Sequence, residues 1–431
     1  MHIESLDIGK GIRLRVLPTK KFKTVTMSFC FHRDLDEDYT YNALIPAVLK
    51  RGCEGFETLK DIERHMESLY GAVFDVGVQK KGERQILRFS MEVVNDDYLA
   101  EQGILAQAFY FLNRVINRPV LEDGGFKKEY VSQEKENMKN RIRSLVNDKI
   151  QYSLERCAQE MCRGEKYSRY VFGDINELDN LDSSKLYSVY RDIMQSSPLD
   201  VFVVGDVQPE KIRLLFEQSF STMDRKRMAT IPKTVYKKLQ VVPKTVTEEM
   251  DVNQGKLAMG FRTNINAADE EYFPLLVYSS ILGGGPHSKL FINVREKASL
   301  AYYAFARLEK FKGLMFIGAG IDFDKYDQTI NIIMEQLDAV AKGQIAQQEF
   351  EGAINALVTS LKGSMDQPSQ LIDYYLGNSV IGSDITVEEL IERIKAVTIH
   401  QVVEVAHKVK LDTIYFLRNR KRGYVVHEKG N

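Results

Sequence analysis

Thr24-Val25-Thr26-Met27-Ser28-Phe29-Cys30-Phe31-His32, then Asp36-Glu37-Asp38-Tyr39 and an apolar run through Leu49 to Gly52, decides the fold because its order recurs later in the chain. Apolar residues alternating at period two mark a strand, and the longer apolar run after the acidic turn marks a helix. Gly255–Arg262, Asp269-Glu270-Glu271-Tyr272 and the apolar residues 273–282 repeat that order. Tyr39 and Gly52 stand 233 residues before Tyr272 and Gly285. The amphipathic helix predicted over 59–69 corresponds to one over 288–297, and the strand over 85–94 to one over 313–321. Asn95-Asp96-Asp97-Tyr98 and Asp322-Phe323-Asp324-Lys325-Tyr326 then each open a further helix. A period this long indicates a duplicated domain rather than a solenoid.

Between the copies, residues 198–206 (P-L-D-V-F-V-V-G-D) predict a buried strand closing the first sheet. Residues 223–244 hold Asp224-Arg225-Lys226-Arg227, Pro232 and Pro243 with few apolar side chains, the composition of a linker. The expected organisation is a domain over 1–222, a linker over 223–244 and a second domain over 245–431. Long helices over 123–162 and 347–365 accompany the strands. The predicted class is α+β, two homologous domains, each a largely antiparallel sheet with helices packed on it.

At 431 residues the chain is too long for one ordinary core. Its 59 basic and 60 acidic residues leave a net charge of −1, so no global field favours nucleic acid or an anionic membrane. Arg418-Asn419-Arg420-Lys421-Arg422 is a small basic cluster read as a solvated terminus. No run approaches the roughly 18 apolar residues needed to cross a bilayer. Cys30, Cys53, Cys157 and Cys162 have no zinc-ribbon spacing, and with no export signal the expectation is reduced thiols in the cytoplasm.

The most specific chemistry lies in Ile281-Leu282-Gly283-Gly284-Gly285-Pro286-His287-Ser288-Lys289-Leu290-Phe291-Ile292-Asn293-Val294-Arg295-Glu296-Lys297-Ala298-Ser299-Leu300-Ala301-Tyr302. The glycines lack the Gly-Lys-Ser/Thr of a phosphate loop and the third glycine of a dinucleotide fingerprint. They read as the end of one helix and room for the next. Ser288 is a helix N-cap rather than a nucleophile, since no His–Asp pair accompanies it. Arg295 stays charged at any working pH and can donate two bonds to the carbonyls of an extended peptide. Tyr302 can donate to the same region or to an oxyanion. The plainer alternative makes Arg295 part of an Arg-Glu-Lys surface cluster and Tyr302 part of a core. Tyr303 would face the opposite side of a strand.

That stretch resembles the second-half signature of the pitrilysin-type (inverzincin) zinc peptidases, whose processing-peptidase relatives read L-G-G-G-x-S-S-R-L-F-x-x-I-R-E-K-x-x-L-A-Y. The resemblance implies that Arg295 and Tyr302 hold the backbone of a bound peptide and that Gly283, Gly284 and Gly285 border its chamber. Active members carry H-x-x-E-H in the first half, two histidines for zinc and a glutamate that activates its water. Matching Arg51-Gly52 to the family's Lys-Gly places that motif on Ala43-Leu44-Ile45-Pro46-Ala47. Ala43 and Ala47 replace the histidines, and Pro46 replaces the glutamate. The acidic residues 129–136 remain near the expected third ligand and read as a solvated helical face. Elsewhere no two histidines sit four apart, Glu404-Val405-Ala406-His407 lacks its companions, and Asp61 with His65 reads as an ordinary side-chain pair.

The resemblance therefore implies no cofactor in this chain and zinc in a partner. The expected role is the non-catalytic, substrate-binding subunit of a heterodimeric zinc metallopeptidase, paired with a homologous H-x-x-E-H subunit on unfolded peptides. A structural scaffold and a homodimeric peptide-binding chamber without proteolysis are the alternatives. No nucleophile, metal or general-base set supports an autonomous enzyme.

Overall fold

The computed structural model describes residues 3–420 apart from 222, 224, 227 and 239–241. Lys421 and Arg422 of the basic cluster, His2, His427 and parts of the 223–244 linker lie outside the described residues. The chain divides into two compact units. The first takes Met1–Arg143, Arg169–Thr234 and Gly363–Val387, and the second takes Ser144–Ser168, Val235–Lys362 and Glu388–Asn431. Each unit thus holds a helical segment from the other half of the sequence. The contiguous expectation, 1–222 and 245–431, does not capture that exchange.

The first unit is built on β1 (Glu4–Gly9), β2 (Ile12–Pro18), β3 (Thr24–Asp34), β4 (Val73–Lys81), β5 (Arg84–Val94) and β8 (Leu199–Gly205), with β6 (Leu121–Glu122) and β7 (Gly125–Phe126) forming a separate ribbon. Its six-stranded sheet runs β1-β2-β8-β3-β5-β4. The strand predicted over 198–206 sits inside the sheet rather than closing it, parallel to β2 and antiparallel to β3. Every residue of β8 is buried, which suits an interior strand covered on both faces. Along β3 the side chains alternate. Val25, Met27, Phe29 and Phe31 enter the apolar core, where Phe29 stacks on Phe220 at 4.9 Å and meets Phe109 edge-on at 6.4 Å.

The opposite face of β3 carries Thr26, Ser28, Cys30 and His32, all buried. There β8 contributes Asp200, fully buried, which accepts a 2.9 Å hydrogen bond from His32 Nε2 and pairs with Arg13 Nε at 3.0 Å. The helix Pro368–Ile381, from the other half of the sequence, packs on β8 and β3. Its Ser379 donates to the Asp200 carboxylate. Burial alone would raise the Asp200 pKa, but His32, Arg13 and Ser379 together hold it down at about 2.

The second unit repeats the plan with β9 (Lys244–Met250), β10 (Gly255–Arg262), β11 (Ala301–Glu309), β12 (Leu314–Ile321) and β13 (Lys410–Asn419), in the order β11-β12-β10-β13-β9. Read from the other side, β9-β13-β10-β12-β11 matches β2-β8-β3-β5-β4 strand for strand, with β9 and β13 parallel as β2 and β8 are. The duplication legible in the sequence is therefore a duplication of sheet topology.

The helix over 123–162 is interrupted. It runs as Lys128–Ser144 and Lys149–Met161, because Asp148 caps a fresh helix by accepting from the Ile150 and Gln151 N–H groups, each at 3.1 Å. That break assigns the second helix to the second unit, where it packs on β10 and β13. Gly260 gives it room, since a Cβ there would stand 2.7 Å from Met161 Sδ. At its end Arg262, 1% exposed, donates to Asp412 at 3.1 Å, to Glu165 at 2.6 Å and to the Met161 carbonyl at 2.9 Å. Lys312 Nζ lies 2.8 Å from Glu165. Burial would raise Glu165, yet Arg262 and Lys312 bring it to about 2. Each exchanged helix is thus fastened to its sheet by a carboxylate–cation cluster.

Among the described residues no helix is long and apolar enough to cross a membrane. The four cysteines are buried free thiols, and burial pushes Cys30, Cys53 and Cys162 up to about 12.

Candidate functional site

Ala43, Pro46 and Ala47 lie on the helix Tyr39–Leu49, which is apolar nearly all round. Ala43 is 2% exposed and Pro46 is buried, both part of the core, while Ala47 is half-buried, and none of the three carries a metal donor. The acidic residues beyond them are spoken for. Glu134 is nearly buried and lies 3.4 Å from Arg51 Nη1, and Arg51 also donates to Gln133 and stacks 5.4 Å from the Tyr130 ring. Glu129 pairs with Lys127 at 3.3 Å and Glu136 with Lys139 at 2.7 Å. Glu134 therefore departs from the solvated face expected of that stretch. Among the described residues no group of three or more His, Cys, Asp or Glu side chains could hold a metal ion. The residues present do not fit zinc.

Two minor expectations change. Asp61 turns back to cap its own helix, accepting from the Thr58 N–H at 3.0 Å, while His65 stacks on Phe56 at 4.4 Å, so they do not pair. Glu404 does meet a histidine, but it is His400 at 3.7 Å, and both are exposed on the helix Ile399–Ala406.

The second-half stretch is different. Helix Tyr272–Gly283 ends at the glycines. Gly283 is buried, and a Cβ on it would stand 2.1 Å from the Ala306 backbone nitrogen, so only glycine lets the helix end lie against β11. A Cβ on Gly284 would meet Ser280 at 2.6 Å. Gly284 also borders a cavity of 300 Å³ shared with Tyr272, Ser280, Ala306, Arg307 and Ser360. Gly285 is half-exposed beside His287. Ser288 accepts from the Phe291 N–H at 3.4 Å, as an N-cap does.

The helix then widens into a π-helical turn, Phe291–Lys297, which carries Arg295. Its guanidinium lies 4.7 Å from the Phe291 ring and 3.5 Å from Glu296, with 44% of the side chain exposed. Ser299 follows in the left-handed region at φ 52°. β11 opens with a bulge. Ala301 pairs with Ile321 and Tyr303 with Gly320, leaving Tyr302 as the extra residue. A bulge re-aims the side chain it frees. Tyr302 is 63% exposed, and its hydroxyl donates only a long 3.5 Å bond to Asp322. Tyr303 is half-buried, stacked on Phe305 at 5.9 Å, and burial raises its phenol pKa.

Arg295 and Tyr302 are thus exposed on neighbouring elements of one unit, beside β11, which is an edge strand whose outer backbone has no partner within its sheet. An edge strand can receive an extended chain, and nearby N–H and O–H donors can take its carbonyls. The π-turn and the bulge, which present these two side chains, carry no signal in the apolar periodicity.

A zinc-peptidase architecture without its metal ligands agrees with the comparisons. Residues 180–357 match the family model described as the peptidase M16 inactive domain. The chain is 35% identical to the probable inactive metalloprotease YmfF of Bacillus subtilis (strain 168), over 95% of this chain and 96% of that one. It is 25% identical to an uncharacterized zinc protease of Streptomyces coelicolor over 58% of this chain and 56% of that one. The crystal structure of a conserved protein from Enterococcus faecalis V583 superposes with a TM-score of 0.90 at 32% identity, covering 98% of this chain and all of that one. The chain belongs to the M16, pitrilysin-type, peptidase family, and within it is an inactive metalloprotease-like member.

Proposed function

We propose that this chain is the non-catalytic, substrate-binding subunit of a heterodimeric zinc metallopeptidase acting on unfolded peptides in the cytoplasm. The observation that carries the reading is the presentation of Tyr302, freed by a bulge at the head of an edge strand and left with one long hydrogen bond. Arg295 stands on the adjoining turn with its guanidinium half in solvent. In the proposed complex an extended peptide lies along β11. Arg295 donates to its carbonyls, and Tyr302 donates to the carbonyl next to the scissile bond. The homologous H-x-x-E-H partner holds zinc and supplies the activated water. Gly283 lets the helix end lie against β11, and so sets the distance between the two donors.

A charge-assisted hydrogen bond is worth about 1.5–3 kcal/mol. Arg295→Ala, measured in the pair reconstituted with an H-x-x-E-H homologue from the same genome, is expected to lower kcat/KM about 10- to 150-fold. Tyr302→Phe, which keeps the ring, should lower it about tenfold. Cleavage by the pair that is indifferent to both substitutions would leave only the scaffold role. Zinc bound stoichiometrically by the isolated chain would contradict the non-catalytic assignment.

A further inference from the structure

The 300 Å³ cavity that Gly284 borders has three walls, all in the second unit. β11 supplies Ala306 and Leu308, the helix Tyr272–Gly283 supplies Leu276, and the helix Gln347–Ser364 supplies Ala356 and Leu357. Side chains alternate across a strand, so past the bulge the even-numbered residues of β11 share one face. The Ala306 methyl would lie 2.8 Å from a Cβ on Gly283, which places that face toward the helix end and the cavity. Tyr303 and Phe305, stacked on each other, hold the opposite face. The small side chain of Ala306 leaves open a space that a larger residue would close.

The third wall is a second, independent feature. Helix Gln347–Ser364 is tied down near its start, where Lys289 Nζ lies 2.9 Å from Glu349 and Ser280 Oγ donates to the Ala353 carbonyl at 3.2 Å. Yet of its 18 residues only Ala353 is buried, and the apolar Ile354, Leu357 and Val358 stay half-buried. These three stand at helical spacing on one face, and an apolar stripe left partly in solvent marks a surface that a partner covers. The free edge of β11 runs along the same cavity, and its unpaired backbone groups call for an extended chain.

We propose that an extended peptide added to the edge of β11 places one aliphatic side chain, of leucine size, in this cavity. The proposal rests on the peptide-binding reading above and names which peptides the chain selects. Backbone hydrogen bonds along a free edge are indifferent to sequence, whereas a pocket for an alternate side chain discriminates. The volume stands at the low end of the roughly 300–1,000 Å³ of ligand pockets, which suits a side chain rather than a cofactor. A strand rises about 3.3 Å per residue, so Ala306 lies about 13 Å from Tyr302 along β11, and one peptide can reach both. A lysine side chain would meet Arg307 and Lys310, both cations that border the cavity, and is disfavoured.

Fluorescence anisotropy of the full chain with short labelled peptides tests the proposal, using a serine–threonine host with leucine, alanine, lysine or glutamate at its centre. The leucine peptide is expected to bind about tenfold more tightly than the alanine peptide, the gain from burying most of a leucine side chain, and the lysine peptide more weakly than the leucine one. Ala356→Phe fills the cavity and Leu357→Ala removes part of its wall. Each should bring the leucine-to-alanine ratio toward one, with a thermal midpoint near that of wild type showing that the variant folds. Equal binding of the leucine and alanine peptides, or no saturable binding of either, would overturn the proposal, as would a leucine advantage that survives both substitutions. Tighter binding of the glutamate peptide would give the cavity to an acidic side chain and overturn it too. A change in oligomeric state with Ala356→Phe, the leucine advantage staying intact, would assign the face to a second copy of the chain instead. The role of Arg295 fails separately. If Arg295→Ala changes neither affinity while the leucine advantage persists, the cavity stands and the carbonyl donor does not; weaker binding with no leucine advantage shows the reverse.

Discussion

Asp200→Ala is expected to destabilise the protein by about 3–5 kcal/mol, because it leaves the buried Arg15 and His32, and the half-exposed Arg13, without their anion. At about 2–4 °C per kcal/mol for a unit of this size, the thermal midpoint should fall by roughly 6–20 °C. Asp366→Ala is the control. Its pair with Lys21 is solvent-exposed on both sides, and its loss should change stability by less than about 1 kcal/mol. A fall for Asp200→Ala no larger than for Asp366→Ala would mean that the cluster contributes nothing net. The same carboxylate sets the acid limit. Asp200 and Glu165 are held at about 2 in the folded chain, below the roughly 3.9 and 4.3 of unfolded Asp and Glu. Their stabilisation is complete above about pH 5 and is lost as pH falls toward 2, roughly 2–3 kcal/mol apiece. Wild type should lose stability steeply across that window, and Asp200→Ala should lose less.

Gly283→Val should cost about 3 kcal/mol, at the upper end of overpacking penalties, because its Cβ would meet backbone rather than the movable tip of a side chain. The helix end and β11 would have to part, which moves Tyr302 relative to Arg295. Peptide affinity should therefore fall along with the thermal midpoint. Gly363→Ala makes a suitable comparison: it lies in the helix Gln347–Ser364 with open space at its Cβ, and should gain up to about 1 kcal/mol. Equal effects of the two substitutions would show that the close approach at Gly283 is not needed.

Much of the fold is legible in the order of residues, for a physical reason. β3, β5, β10 and β12 are interior strands whose apolar faces enter cores, so alternation reveals them. β4 is an edge strand ending in Gln79-Lys80-Lys81, the kind of charged margin that discourages pairing and erases the pattern. The interruption at Asp148 is a capping event that periodicity cannot locate, and the exchange of helices that follows from it is a choice among distant partners. At the candidate site, Arg295 and Tyr302 are legible as a motif. Their presentation is not, because a π-turn and a bulge each add a residue that period counting does not register. Ala43, Pro46 and Ala47 are legible from chemistry alone, since methyl groups and a proline ring hold no metal donor.

The exchanged helices also impose an order on synthesis. The first sheet is complete by residue 205, but the helix that covers its polar face ends at Ile381. At about 5–20 residues per second the ribosome needs roughly 10–30 s to supply it. For that interval Asp200 lies open to water without Ser379, and the nascent first unit waits, half-dressed, on a segment encoded near the end of its message.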